Sequence, residues 1–308
     1  MPRLTALLLL MMLTLTPITQ AAEPLLFRAG LDNTEWLLSG SVFECRFAQT
    51  VPDYGSAVFY HRAGEDVHFQ LETSRNLMDY SNARVSILPP DWQPSVKTEF
   101  LGTARIVKDT PNLTLDHERT NRFLHALMEG KWPTISHKTY YDPQRYIRVQ
   151  VAAFAFDDFY QDYLQCVKQL LPVNFDQVAR SKVFFAAGEN AIDRKDSKIL
   201  DTIIFYIQHD PRVFAVYLDG HSDNQGRRYD QRQMSKARVE DVERYFIKQG
   251  INPDMITTRF HGGRYPVASN NTAKGRAANR RVTIRLEQRD DVPIPPELLF
   301  QLPPRNDR

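Results

Sequence analysis

The chain is poor in cysteine, with two in 308 residues. Two thiols alone do not make a metal centre, and the eight histidines show no ligand-like spacing. No Gly-x-Ser-x-Gly, His-Glu-x-x-His or phosphate-loop pattern occurs. The carboxylate pairs Asp157-Asp158 and Asp290-Asp291 are chain neighbours, suited to helix caps or solvated charge rather than to a shared proton. With no nucleophile and base, no metal set and no cofactor motif, a non-enzyme without cofactors is expected. Long apolar runs are also absent beyond the N-terminus. None approaches the ~20 residues a spanning helix needs, so no transmembrane segment is expected in the mature chain.

The charged and hydrophobic fractions, 25% and 42%, fit a soluble globular chain long enough for two domains. Arg3 followed by the apolar run Leu4–Leu15 and the small-residue exit at Thr19-Gln20-Ala21 reads as a secretory signal. Cleavage is expected near Ala21 or Ala22, giving an exported protein. Cys45 and Cys166 are then most simply read as a pair closing a loop of about 120 residues. Free buried thiols are the alternative.

From Phe27 to Val107 the pattern predicts short strands: 42–47, 57–61, 67–71, 83–88 and 100–107, split by turn residues. Asp116 can cap a helix that Gly130 stops, strands follow at 132–140 and 146–156, and a second helix runs from Asp157 or Asp158 to Leu171, ahead of Pro172. These strands are too short and too interrupted for an outer-membrane barrel. A connector covers 172–180. Beyond it, a strand at 183–185, a helix after Asp193, a strand at 213–218, a helix over 230–249, and strands at 256–261 and 282–286 predict an α/β sandwich. The segment from Asp290 is polar and proline-rich and is expected to be unpacked.

Charge is uneven. Residues 172–289 carry 21 Lys and Arg against 14 Asp and Glu, a net +7, while the whole chain carries +2. A basic half suits an anionic polymer. The export signal argues against nucleic acid.

The most informative stretch is Leu218-Asp-Gly-His-Ser-Asp223 followed by the helix that carries Met234 to Arg238. At 100° per residue, Met234, Ala237, Val242, Tyr245 and Phe246 share one face, and Arg238 falls inside it. An inward guanidinium needs acceptors, and Asp223 is the candidate partner. Such an acid–arginine pair could hold a zwitterion through charge-assisted hydrogen bonds, or could simply lock loop to helix. His221 is expected to fix backbone rather than to transfer protons. Arg276 and Arg281 are read as a solvated helix face or terminus.

Gly220-His221-Ser222-Asp223, Met234-Ser235-x-x-Arg238 and Asn279-Arg280-Arg281-Val282 resemble the OmpA-like C-terminal domain, which binds peptidoglycan. The resemblance implies that Asp223 and Arg238 hold the zwitterionic end of diaminopimelate, with Arg280 adding a contact. Gln231, where the family often has asparagine, and Ala186-Ala187-Gly188 depart from the pattern. In the first half, Glu44-Cys45-Arg46-Phe47, Val51-Pro52-Asp53-Tyr54-Gly55, Pro89-Pro90-Asp91-Trp92 and Cys166 ahead of Leu170-Leu171-Pro172-Val173-Asn174-Phe175 resemble the MotY family. That family implies a Cys45–Cys166 disulfide and an N-terminal domain that docks on the flagellar basal-body ring and helps recruit the stator.

The expectation is therefore an α+β chain: signal peptide 1–21, antiparallel β-rich motor-docking domain with two helices 22–171, linker 172–180, OmpA-like α/β sandwich with a mixed sheet 181–289, and Pro-rich tail 290–308. Its expected role, as these resemblances imply, is a non-enzymatic periplasmic flagellar motor component anchored to peptidoglycan, supporting motility. The alternatives are a general envelope-stabilising peptidoglycan-binding protein, or a wall-acting enzyme with its site in residues 23–171.

Overall fold

In a computed structural model the described residues are 23–301, apart from 75, 76, 91, 94 and 143. The expected signal peptide and its expected cleavage site lie outside them, as do residues 302–308.

In chain order, β1 (Leu25–Phe27), β2 (Trp36–Gly40), β3 (Glu44–Val51), β4 (Gly55–Arg62), β5 (His68–Thr73), β6 (Asn82–Leu88), β7 (Glu99–Arg105) and β8 (Leu113–Leu115) precede α1 (His117–Met128). β9 (Trp132–Lys138), β10 (Tyr146–Gln150) and α2 (Phe156–Lys168) follow. The strands form two five-stranded sheets, ordered β1-β10-β9-β6-β7 and β2-β3-β4-β5-β8. All pairs are antiparallel except β1 on β10. Period-2 alternation turns Phe47, Phe59 and Phe69 from one sheet, and Val85, Ile135 and Val149 from the other, into one core. The helices close it with Phe123, Leu127, Phe156 and Tyr163.

Asp116 caps α1, its side chain accepting from the Arg119 amide. α2 differs from expectation at its start. It opens at Phe156, with Ala155 in the left-handed region (φ 54°) and no side-chain cap, so neither Asp157 nor Asp158 is the cap. The expected strand 146–156 stops at Gln150, because burying Phe156 beside Trp36 and Phe47 takes the chain into the helix instead. Cys45 on β3 and Cys166 on α2 are joined by a disulfide, with their Cα atoms 6.1 Å apart.

The second half contains α3 (Phe175–Val178), β11 (Arg180–Phe184), α4 (Arg194–His209), β12 (Val213–Gly220), α5 (Arg228–Lys248), β13 (Ile256–Phe260), α6 (Ala273–Asn279) and β14 (Arg281–Gln288). Its sheet, β11-β14-β12-β13, is mixed, with β12 and β13 parallel. Ile203, Ile207, Val239, Val242 and Phe246 of α4 and α5 pack with Val216, Leu218, Val282 and Ile284 of the sheet. Among the described residues no helix is long and apolar enough to cross a membrane.

Two connecting segments are packed rather than loose. In residues 172–180, Asn174 and Gln177 form a capping box on α3. Asn174 Nδ2 also donates to the Ala63 carbonyl at 3.0 Å, and Arg62 pairs with Asp176 at 2.7 Å, so the β4–β5 turn is tied to the second half. The tail expected to be unpacked is ordered over 290–301. Ile294 and Leu298 lie on the second core and Phe300 on the first. Val42 N–H donates to the Leu298 carbonyl (3.0 Å) and Phe300 N–H to the Gly40 carbonyl (2.9 Å). The prolines obscure three apolar anchors that fit the open backbone beside β2 and β3.

Candidate functional site

The site forms where β12 ends against the first turns of α5. At Gly220 a Cβ would run into the Ser235 carbonyl and the Val239 side chain, so strand and helix can approach only because that atom is missing. Beyond it the chain is pinned by its backbone. His221 N–H donates to the Arg281 carbonyl (2.9 Å), and Ser222 N–H to the Gly262 carbonyl (3.0 Å). The Gln225 amide donates to Asp223 Oδ1 at 3.2 Å, which fixes that carboxylate from its own loop.

Arg238 does point inward, and it is 1% exposed. Its direct partners are not the ones expected. Nε donates to the Glu189 carbonyl (2.9 Å), Nη1 to the His221 carbonyl (3.2 Å) and Nη2 to the Ala186 carbonyl (3.3 Å). The guanidinium also lies over the Phe185 ring, 5.2 Å from its centroid. Burial brings its pKa down to about 10, the Arg280 charge adding to that and Asp223 opposing it, so it stays cationic at neutral pH. Two loops distant in sequence thus share one guanidinium as their hydrogen-bond donor.

The ion pair to Asp223 is made by Arg280. Its Nη1 meets Asp223 Oδ2 at 3.0 Å, while its Nε donates to the Phe185 carbonyl at 2.9 Å. The expected Asp223–Arg238 salt bridge is therefore replaced by an Asp223–Arg280 bridge. Arg238 acts on Asp223 through the field across the cavity instead.

Asp223, Arg238 and Arg280 line one cavity of about 200 Å³, with Gly188, Gln231 and Met234 among its walls. Three N–H groups of Arg238 go to carbonyls, leaving the rest of its five donors for the cavity. Asp230 also lines the space but is paired with Arg227, so the Asp223 carboxylate and two guanidinium groups around it suit a compact ligand end bearing both charges. The departures noted in the sequence sit at its edge. Gln231 donates to the Gly226 carbonyl at 3.0 Å, and Ala186 offers Arg238 only its carbonyl.

Asn279, the first residue of the Asn279-Arg280-Arg281-Val282 motif, has a structural role that the sequence left unassigned. Its side chain accepts from the amides of Val267 (2.8 Å) and Ala268 (3.1 Å) and donates to the Ala268 carbonyl (2.8 Å), holding the loop before α6. Its place directly before the two arginines was the available signal. Arg281 corrects the solvated reading: it is buried, with Nη2 donating to the Tyr265 carbonyl at 3.2 Å. Burial, with Arg281 and His261 nearby, pushes His221 down to about 4, so the ring is neutral and acts by packing. It stacks on His261, with centroids 5.1 Å apart. Among the described residues no group of three or more His, Cys, Asp or Glu could hold a metal.

Residues 27–172 match the MotY N-terminal domain family, and residues 184–280 the OmpA family. The sodium-type flagellar protein MotY of Vibrio parahaemolyticus is 24% identical over 256 residues, covering 82% of this chain and 87% of that protein. Outer membrane protein A of Bordetella avium is 40% identical over 120 residues, covering 37% of this chain and 59% of that protein. The crystal structure of the C-terminal domain of Helicobacter pylori MotB matches with a TM-score of 0.33 and 24% identity, over 35% of this chain and 84% of that one.

Proposed function

Because the chain belongs to the family that joins a MotY N-terminal domain to an OmpA-family domain, we propose that it is a flagellar motor component anchored to peptidoglycan. The C-terminal domain grips the wall, and the N-terminal sandwich docks on the basal-body ring and stator. The protein works in the periplasm after export and carries out no catalysis. The observation that carries the wall-binding half is the cavity shared by Asp223, Arg238 and Arg280. There the Asp223 carboxylate takes the ammonium of diaminopimelate, and the two guanidinium groups take its carboxylate. Both halves are needed for one task, since an anchor without a docking domain transmits no restraint to a motor. The fold supports that coupling through the Arg62–Asp176 and Asn174–Ala63 contacts and the ordered tail.

Deletion of the gene is expected to abolish spreading in soft agar while leaving detergent sensitivity unchanged. A copy carrying Asp223→Asn, expressed at the same level, is expected to restore less than about a tenth of wild-type spreading. Leakiness and detergent sensitivity on deletion, with motility intact, would instead make this a general envelope-stabilising protein. Release of soluble muropeptides by the purified chain would make it an enzyme.

A further inference from the structure

A second groove lies beside the wall-binding cavity. It measures about 540 Å³ and is lined by Arg228, Arg232 and Arg264 together with Tyr229, His261 and Gln231. Gln231 lines both spaces and is a wall they share. No carboxylate lines the groove. Among the described residues, none of the three arginines has an ion-pair partner, whereas Arg227 next door pairs with Asp230. Three unbalanced guanidinium groups around one concavity raise each other's electrostatic energy, and an anion there relieves it.

The groove is also rigid. The Gly262 amide donates to Ser235 Oγ at 3.0 Å, and Ser235 Oγ donates to the Arg232 carbonyl at 2.8 Å. The Gly262 carbonyl accepts from Ser222, one residue from Asp223. The floor of the groove and the wall of the cavity are thus parts of one hydrogen-bonded unit. Arg232 is steadied over the Phe260 ring, 4.9 Å from its centroid, and Tyr229 stands 69% exposed at the rim.

Building on the wall-binding function proposed above, we infer that this groove is a second anion subsite, for the carboxylate next along the peptidoglycan stem. In that peptide the residue before diaminopimelate is a γ-linked glutamate, whose α-carboxylate is free. A ligand seated with its diaminopimelate end against Asp223 presents this carboxylate one residue away, and the groove that shares Gln231 with the cavity is the basic space beside it. Arg228 and Arg264 hold the carboxylate through charge-assisted hydrogen bonds.

The test is calorimetric titration of the mature protein at low salt with two probes. Both are the tripeptide L-Ala–γ-D-Glu–meso-diaminopimelate, one with the glutamate α-carboxylate free and one with it amidated. Wild type is expected to bind the free acid about fivefold more tightly than the amide. The variant Arg228→Gln/Arg264→Gln, which leaves Arg232 on its ring, is expected to bind the two probes equally. An unchanged affinity on amidation in wild type, or a preference retained in the double variant, overturns the inference. Asp223→Asn should weaken both probes alike. If it weakens neither, the failure belongs to the diaminopimelate site itself.

Discussion

Replacing Arg238 by alanine is expected to destabilise the C-terminal domain by roughly 3 kcal/mol, enough to lower its unfolding midpoint by about 10 °C. The reason is the arrangement around the guanidinium. The side chain is 1% exposed and serves the carbonyls of Ala186, Glu189 and His221 at once. Truncation leaves the buried His221 carbonyl and the part-buried Ala186 and Glu189 carbonyls without this donor, and a void beneath Phe185. Lysine is no substitute, since a single ammonium cannot reach three carbonyls that a planar fork satisfies together. Loss of wall binding in Arg238→Ala therefore reports lost architecture as well as lost charge, and thermal unfolding followed by circular dichroism separates the two. An unfolding midpoint within about 2 °C of wild type would show that the three carbonyls do not depend on Arg238.

Opening the disulfide is the second large effect. Cys45 and Cys166 are 121 residues apart, so the bridge encloses nearly all of the N-terminal sandwich. Loop-closure entropy for a ring of that size sets the loss at about 5 kcal/mol. Packing at the bridge is tight: Gly40 pairs with Cys45 across β2 and β3, and a Cβ at Gly40 would run into Cys166 Sγ. Cys45→Ser/Cys166→Ser is expected to unfold at about 10 °C below wild type, and wild type in reducing agent to follow it. Equal midpoints in oxidising and reducing buffer would mean that core packing alone holds β3 to α2.

Much of this was legible in the sequence because local signals and burial agree. Asp116 and Asp193 cap the helices predicted for them, and Gly130 and Gly250 follow the ends of α1 and α5. The inward position of Arg238 followed from helical period alone. Its partners did not, because backbone carbonyls of remote loops leave no mark in composition. An arginine and an aspartate close in sequence invite pairing, yet the fold gives Asp223 to Arg280, 57 residues away. The short strands β1, β2 and β8 were missed for a related reason: each is fixed by its sheet neighbours more than by its own residues. The tail misled through its prolines, which concealed Ile294, Leu298 and Phe300.

Asp223 gives the cleaner probe of wall binding. Asparagine preserves its shape and its acceptor for the Gln225 amide while removing the charge that faces Arg238 and Arg280. The decisive measurement is co-sedimentation of the mature protein and its Asp223→Asn variant with purified peptidoglycan sacculi, both first shown to unfold at similar temperature. Wild type is expected in the pellet and Asp223→Asn in the supernatant. Equal sedimentation of the two would contradict a wall anchor centred on Asp223.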